Sequence, residues 1–287
     1  MASKRYPQFI LLGDSIVEFS SYLRDGFSFT AGLEEHCSRR LQVINHGLSG
    51  YNTDNALEIH QHLVPDPTSA KVSYLVRQLS TLQDSPLVGV PWKTSPLLES
   101  LILFGANDAC LPDGPTGQYV SLENYKKNIE ALLDHWSSIA QYPKILLVTP
   151  PPINEIQLEK GDRQKGYSSL TRLQENTAKY AAAVREIATE WKDRNVVLVD
   201  LWRAMMDKAV HISSDNTIDV KTMGTKRAGD DTSMRTLLTD GLHLSSEGYK
   251  IFLSKVIPMV GTEWKKEPFD SPSWVFPHWT VAPKFSR

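Results

Sequence analysis

The stretch Gln8-Phe9-Ile10-Leu11-Leu12-Gly13-Asp14-Ser15-Ile16 decides the fold. An unbroken apolar run, rather than an alternating one, marks a strand covered on both faces, as in a parallel sheet. The abrupt switch to Gly-Asp-Ser marks where that strand ends, because Asp and Ser are residues that open helices. Four more runs of the same kind follow at 41–47, 100–105, 144–149 and 195–200. Helical spacing fills the intervals. Tyr125, Ile129, Leu132, Trp136 and Ile139 recur at steps of three and four behind Ser121 as N-cap. Tyr180, Val184, Ile187 and Trp191 do so behind Thr171 and Gln174, which stand at capping-box spacing. A last helix starts after Ser245, carries Tyr249, Phe252, Leu253 and Val256, and stops near Pro258. Strands alternating with helices define a three-layer helix-sheet-helix α/β domain. The expected core is a five-stranded parallel, flavodoxin-like sheet.

With 287 residues, a single core of this kind needs no staples. We expect one domain over 1–262 with long insertions near 63–98 and 203–239, and an aromatic, proline-rich tail at 263–287. The first insertion is rich in proline around one expected helix at 72–83, and the second is polar and charged. Both exceed ordinary connections and read as lids or mobile loops. The tail carries Trp264, Phe269, Trp274, Phe276, Trp279 and Phe285, too aromatic for a solvated end. It is expected to strap onto the domain, with packing on a second subunit of a homodimer as the alternative.

Composition removes several classes of function. The 31 Lys+Arg balance 33 Asp+Glu, a net charge of -2, so no basic footprint for nucleic acid exists. No apolar run approaches the roughly 20 residues of a membrane helix. The N-terminal apolar run is too short for a signal-peptide core. Two cysteines far apart, Cys37 and Cys110, fit a reducing compartment. These features predict a cytoplasmic protein.

In an open parallel sheet, function gathers beyond the carboxyl ends of the strands. Four polar clusters sit there: Gly13-Asp14-Ser15-Ile16, Ser49-Gly50-Tyr51-Asn52-Thr53, Gly105-Ala106-Asn107-Asp108 and Asp240-Gly241-Leu242-His243. A serine hydroxyl attacks a carbonyl only when a base takes its proton. His243 suits that task, and Asp240, three residues earlier, can hold its Nδ1–H within one loop. The backbone N–H groups of Ser15 and Gly50 and the side-chain amide of Asn107 are candidate donors to an oxyanion, each typically worth about 3 kcal/mol. Asp14 is expected to pin the nucleophile turn and Asp108 to fix the turn after the third strand. Asn52 and Thr53 are expected to support the Gly50 loop. Cys110 and Pro150 are expected to line the pocket. His60 and His62 lack an acidic or cysteine partner at ligand spacing, so no metal and no cofactor is expected.

These blocks resemble those of the SGNH, or GDSL-type, hydrolases, whose four letters correspond to Ser15, Gly50, Asn107 and His243. The resemblance spans roughly residues 8 to 260 and implies the SGNH hydrolase fold. Ser49-Gly-Tyr-Asn-Thr53, Phe104-Gly-Ala-Asn-Asp108 and Asp240-Gly-Leu-His-Leu-Ser245 look most like the isoamyl acetate-hydrolysing esterase branch. The resemblance therefore implies a serine esterase cleaving short acetate esters of alcohols without a cofactor, on a small-molecule ester. The same site could serve an acyltransferase if the long insertions exclude water, or a carbohydrate deacetylase. A non-catalytic flavodoxin-like binding module is the remaining reading, disfavoured because no glycine-rich phosphate loop occurs.

Overall fold

The computed structural model describes residues 6–63, 99–139, 143–213, 222–229, 232–262, 264 and 274–284. In chain order these form β1 (Gln8–Gly13), α1 (Ser15–Glu18), α2 (Phe29–His36), β2 (Gln42–Gly47), α3 (Thr53–Leu63), β3 (Glu99–Leu103) and α4 (Leu122–Ile139). Then come β4 (Lys144–Val148), α5 (Glu155–Gln164), α6 (Gln174–Glu190), β5 (Val196–Val199), α7 (Leu201–Ile212), α8 (Thr232–Leu237) and α9 (Ser246–Val256). The five strands pair in the order β2-β1-β3-β4-β5, all parallel. This is the flavodoxin-like order that the strand-helix rhythm predicts.

The pleat divides β1 between two cores. Phe9 and Leu11 face α2, α7 and α9, where Phe29 and Phe252 stack with ring centroids 4.5 Å apart. Ile10 and Leu12 face α3, α4 and α6, which contribute Tyr125, Ile129, Trp136, Tyr180, Val184 and Ile187. Each such fully buried side chain contributes about 1.5–3 kcal/mol. The two buried tyrosine hydroxyls of this second core are satisfied: Tyr125 donates to Phe104 O at 3.0 Å and Tyr180 to Val120 O. Among the described residues, no helix is long and apolar enough to cross a membrane.

Three local expectations change. Residues 203–238 do not form a polar lid where they are described. Arg203 and Asp207 pair on the exposed side of α7, while Met205, Met206 and Ala209 on its other side are buried. Met223, Met234 and Leu237 join the same core. The charges of α7 belong to one face of that helix, and counting them over the whole stretch hid the period. Thr171 is not the cap of α6 either. Its N–H and hydroxyl both donate to Asp162 Oδ2 at 2.8 Å, and the N-cap position is Leu173. The first N–H of the helix, that of Gln174, is taken instead by Glu155 Oε1 at 2.8 Å. By contrast Ser121 and Ser245 accept from Asn124 N and Gly248 N, at 3.3 and 3.2 Å, as expected of caps. The helix expected at 72–83 lies outside the described residues.

The described residues of the chain's last part meet the amino ends of the strands. Lys144, the first residue of β4, donates to Met259 O, and Gly261 N donates to the carboxylate of Glu99, the first of β3. Trp264 lies against His36 and under Arg40. Arg39 covers Trp274 at 4.0 Å and donates to Phe276 O and Pro277 O, and Phe276 meets Tyr6 edge-on. The opposite pole, at the carboxyl ends, is left to the polar clusters.

Candidate active site

Ser15 is the first residue of α1, at the turn out of β1. Asp14 caps that helix, its Oδ1 accepting the Ile16 N–H at 2.8 Å. The turn is held against β2 so closely that a Cβ on Gly47 would lie 1.9 Å from Glu18 N. From the other side, Tyr249 of α9 donates to Ile16 O at 2.7 Å. The serine is thereby clamped from two elements remote in sequence.

His243 and Asp240 come from the loop ahead of α9. That loop is fastened by Asn154 N to Gly241 O (2.9 Å), Thr239 N to His243 O (2.8 Å) and Gln157 Nε2 to Thr239 O (2.8 Å). Ser15 Oγ lies 2.9 Å from His243 Nε2. His243 Nδ1 lies 2.7 Å from Asp240 Oδ2, and Asp240 Oδ1 accepts the N–H groups of His243 (2.9 Å) and Leu242 (3.0 Å). Burial pushes the Asp240 carboxyl up. The hydrogen bond and charge of His243 and the two N–H groups more than offset it, holding the group well below the usual carboxylate range. An ionised Asp240 fixes the proton on Nδ1 and leaves Nε2 free to receive the serine proton. The Phe19 ring, 4.9 Å from the imidazole centroid, covers one side of it.

The second and third clusters meet beside this line. Gly50 adopts φ +83°, a conformation that favours glycine. Asn107 Nδ2 donates to Tyr51 O at 2.8 Å, so the amide carries one further N–H. Asn107 Oδ1 accepts from Arg172 Nη2 at 2.8 Å. Asp108 Oδ1 accepts from Thr53 N and Oγ1 at 2.9 and 2.5 Å, tying the β3 loop to the start of α3. Asn52 caps that helix reciprocally with Asn55 and donates to Gln118 O at 3.0 Å.

Two buried carboxyls stand out. Burial raises Asp14 to about 7, partly offset by the Ile16 N–H, and raises Asp108 to about 6 against its Thr53 hydrogen bonds. Each has an Oδ2 without a hydrogen-bond partner among the described residues. Both hold backbone, as the sequence suggests, and neither hydrogen-bonds Ser15 or His243. Cys110 departs from expectation. It has no exposed surface and so walls no open pocket; its Sγ lies 3.7 Å from Gln118 Oε1, and burial raises its thiol. Pro150 is buried over Gly105, where an added Cβ would meet its Cγ at 3.0 Å. Sequence reasoning missed Arg172, Gln118, Phe19 and the Tyr249 hydroxyl. Arg172, Gln118 and Tyr249 reach the site across 54 residues or more, whereas Phe19 follows the serine by four. Phe19 alone had a local signal, as an aromatic one turn beyond the nucleophile.

The parallel sheet and the serine-imidazole-carboxylate line at its carboxyl pole define a hydrolase-type site. Residues 11–251 match the model of the GDSL-like lipase/acylhydrolase family, and the chain belongs to that family. Its activity class is accordingly that of an esterase or acylhydrolase. Among its relatives, an isoamyl acetate-hydrolyzing esterase 1 homolog from Bos taurus is 30% identical over 270 residues, covering 94% of this chain and 87% of that protein. Two solved structures share the fold. A lipase/acylhydrolase from Enterococcus faecalis aligns with TM-score 0.53 at 19% identity, covering 91% of this chain and 98% of its own. Axe2, an acetylxylan esterase from Geobacillus stearothermophilus, aligns at 0.52 and 16%, covering 90% and 97%.

Proposed function

We propose that this protein is a serine esterase hydrolysing short-chain, acetate-type carboxylic esters of alcohols through an acyl-enzyme. The observation that carries the reading is the continuous line Ser15 Oγ–His243 Nε2, His243 Nδ1–Asp240 Oδ2, at 2.9 and 2.7 Å. His243 takes the Ser15 proton as Oγ bonds to the ester carbonyl carbon, and the carbonyl π pair moves onto its oxygen. Ser15 N–H, Gly50 N–H and the second Asn107 amide N–H receive that oxyanion. The tetrahedral intermediate collapses, the alkoxide leaving with the proton from imidazolium. Water, deprotonated by His243, then releases the acid and restores Ser15. Asp240 stabilises the imidazolium in both halves. The acetate preference draws on the bovine relative's name and on the resemblance of the Ser-Gly-Tyr-Asn-Thr and Asp-Gly-Leu-His phrases to that esterase branch.

Hydrolysis is favoured over acyl transfer. The transfer reading leaned on two long water-excluding lids; the described part of 203–238 packs into the core instead, and 64–98 lies outside the described residues. The test is turnover of p-nitrophenyl acetate. The wild type should hydrolyse it and carry one fluorophosphonate at Ser15, while Ser15→Ala should do neither yet melt like the wild type. His243→Ala should likewise lose both turnover and labelling while staying folded, and a His243→Ala enzyme that turns over within about tenfold of wild type would refute its role as base.

A further inference from the structure

Arg172 sits in the loop between α5 and α6, outside the serine-imidazole-carboxylate line, and is only 5% exposed. Its guanidinium donates to four oxygens. Nε reaches Ala106 O at 2.7 Å and Nη1 reaches Thr171 Oγ1 at 3.1 Å. Nη2 reaches both Asn107 Oδ1 at 2.8 Å and Gln118 Oε1 at 3.2 Å. None of the four belongs to a carboxylate. Among the described residues no carboxylate hydrogen-bonds this guanidinium, and a cation buried in this way carries a desolvation cost. What it touches gives the reason.

An amide side chain can turn either end toward a neighbour. With Arg172 on Oδ1 and Tyr51 O on Nδ2, Asn107 is held in one orientation, with one N–H left over. The cation also draws electron density from the amide and strengthens Nδ2–H as a donor. Gln118 extends the same hold to the second cluster. Its Oε1 takes Arg172, its Nε2 donates to Gly50 O at 2.8 Å, and its carbonyl accepts from Asn52 at 3.0 Å. One planar fork thus fastens the β3 loop directly and the β2 loop through a single side chain.

We propose that Arg172, acting through Asn107 and Gln118, is the positioning residue of the oxyanion donors. The inference rests on the esterase reading above and names the group that keeps two independent loops in register with Ser15. Because it acts on the transition state, its loss should appear in kcat rather than KM. A lysine cannot replace it, since one ammonium point cannot span the acceptors that the fork meets.

The experiment measures p-nitrophenyl acetate hydrolysis by wild type, Arg172→Ala, Arg172→Lys, Gln118→Ala, Asn107→Ala and the Asn107→Ala/Arg172→Ala pair. We expect Arg172→Ala to lose about 10- to 100-fold in kcat with KM changed by less than about threefold. Free guanidinium at millimolar concentration should restore part of that loss, and ammonium should not. Arg172→Lys should stay low. In the Asn107→Ala background, removing Arg172 should cost less than it does in the wild type, because the part of its effect that passes through that amide is already lost and only the Gln118 branch remains. Partly exposed Gln118 supplies the variant that survives if Arg172→Ala does not fold, and should lose kcat in the same sense. Full kcat in Arg172→Lys or Gln118→Ala, or strictly additive losses with Asn107→Ala, would overturn the inference and leave the esterase reading standing. A wild type that neither turns over nor labels at Ser15 would remove both.

Discussion

Asp240→Asn changes one atom and tests the chemistry most directly. The asparagine can keep its Oδ1 on the N–H groups of Leu242 and His243, so the loop should hold. Its Nδ2 then faces His243 Nδ1, which can no longer donate. The imidazole must place its proton on Nε2, the nitrogen that has to accept from Ser15. A second loss is electrostatic. Charge centres about 4 Å apart attract by about 1 kcal/mol in water and about 4 kcal/mol near a protein surface. The Asp240 side chain is 44% exposed and that of His243 is 17% exposed, so screening keeps the figure near the middle of that span. With the tautomer added, the transition state should lose roughly 3–5 kcal/mol, a kcat lower by about two to four powers of ten. Initial rates on p-nitrophenyl acetate, with melting curves as the control for folding, measure it. A folded Asp240→Asn enzyme within about tenfold of wild type would refute the reasoning.

Gly50→Ala forces a side chain into φ +83° and puts a Cβ 3.4 Å from Gln118 Nε2; it should cost about 1–2 kcal/mol of stability and at least tenfold in kcat, read by melting and steady-state kinetics. Gly47→Ala drives a methyl into the backbone of Glu18, which has no flexible end to yield, so a loss of about 3 kcal/mol or more is expected; an unchanged melting temperature would contradict the packing. Asp14, raised from 3.8 to about 7, keeps in the fold a proton that the unfolded chain releases. Its contribution is therefore fully present below about pH 4 and lost as pH rises toward 7. Asp14→Asn, itself a good helix cap, abolishes that loss. Its stability relative to wild type should rise by on the order of 2–4 kcal/mol across the window in urea titrations, and parallel curves would refute it.

Much of this was legible because it was local. The apolar run into Gly13-Asp14-Ser15 placed β1 and the serine together, and Ser245 opened α9 behind the Asp240–His243 loop. Asp240 and His243 stand three residues apart, so one loop had to join them. What escaped the sequence was built from distance. Arg172 reaches Asn107 across 65 residues and Gln118 across 54, and no pattern in either segment announces the pairing. Thr171 had the spacing of a cap, yet the buried Asp162 carboxylate took its hydroxyl, and Glu155 satisfied the helix from 19 residues away. Residues 203–212 misled through composition, since the methionines that enter the core are interleaved with the charges that leave it.

The strap across the amino ends of the strands has a practical corollary. Its described end, with Trp279 and Val281 largely exposed, follows Trp274 and Phe276, which pack on Arg39 and Tyr6 ahead of β2 and β1, whereas Ser15 follows the other end of β1. A fluorophore, tether or solid support attached there would be held by the pole opposite Ser15. The molecule thus offers a handle at one end and its chemistry at the other.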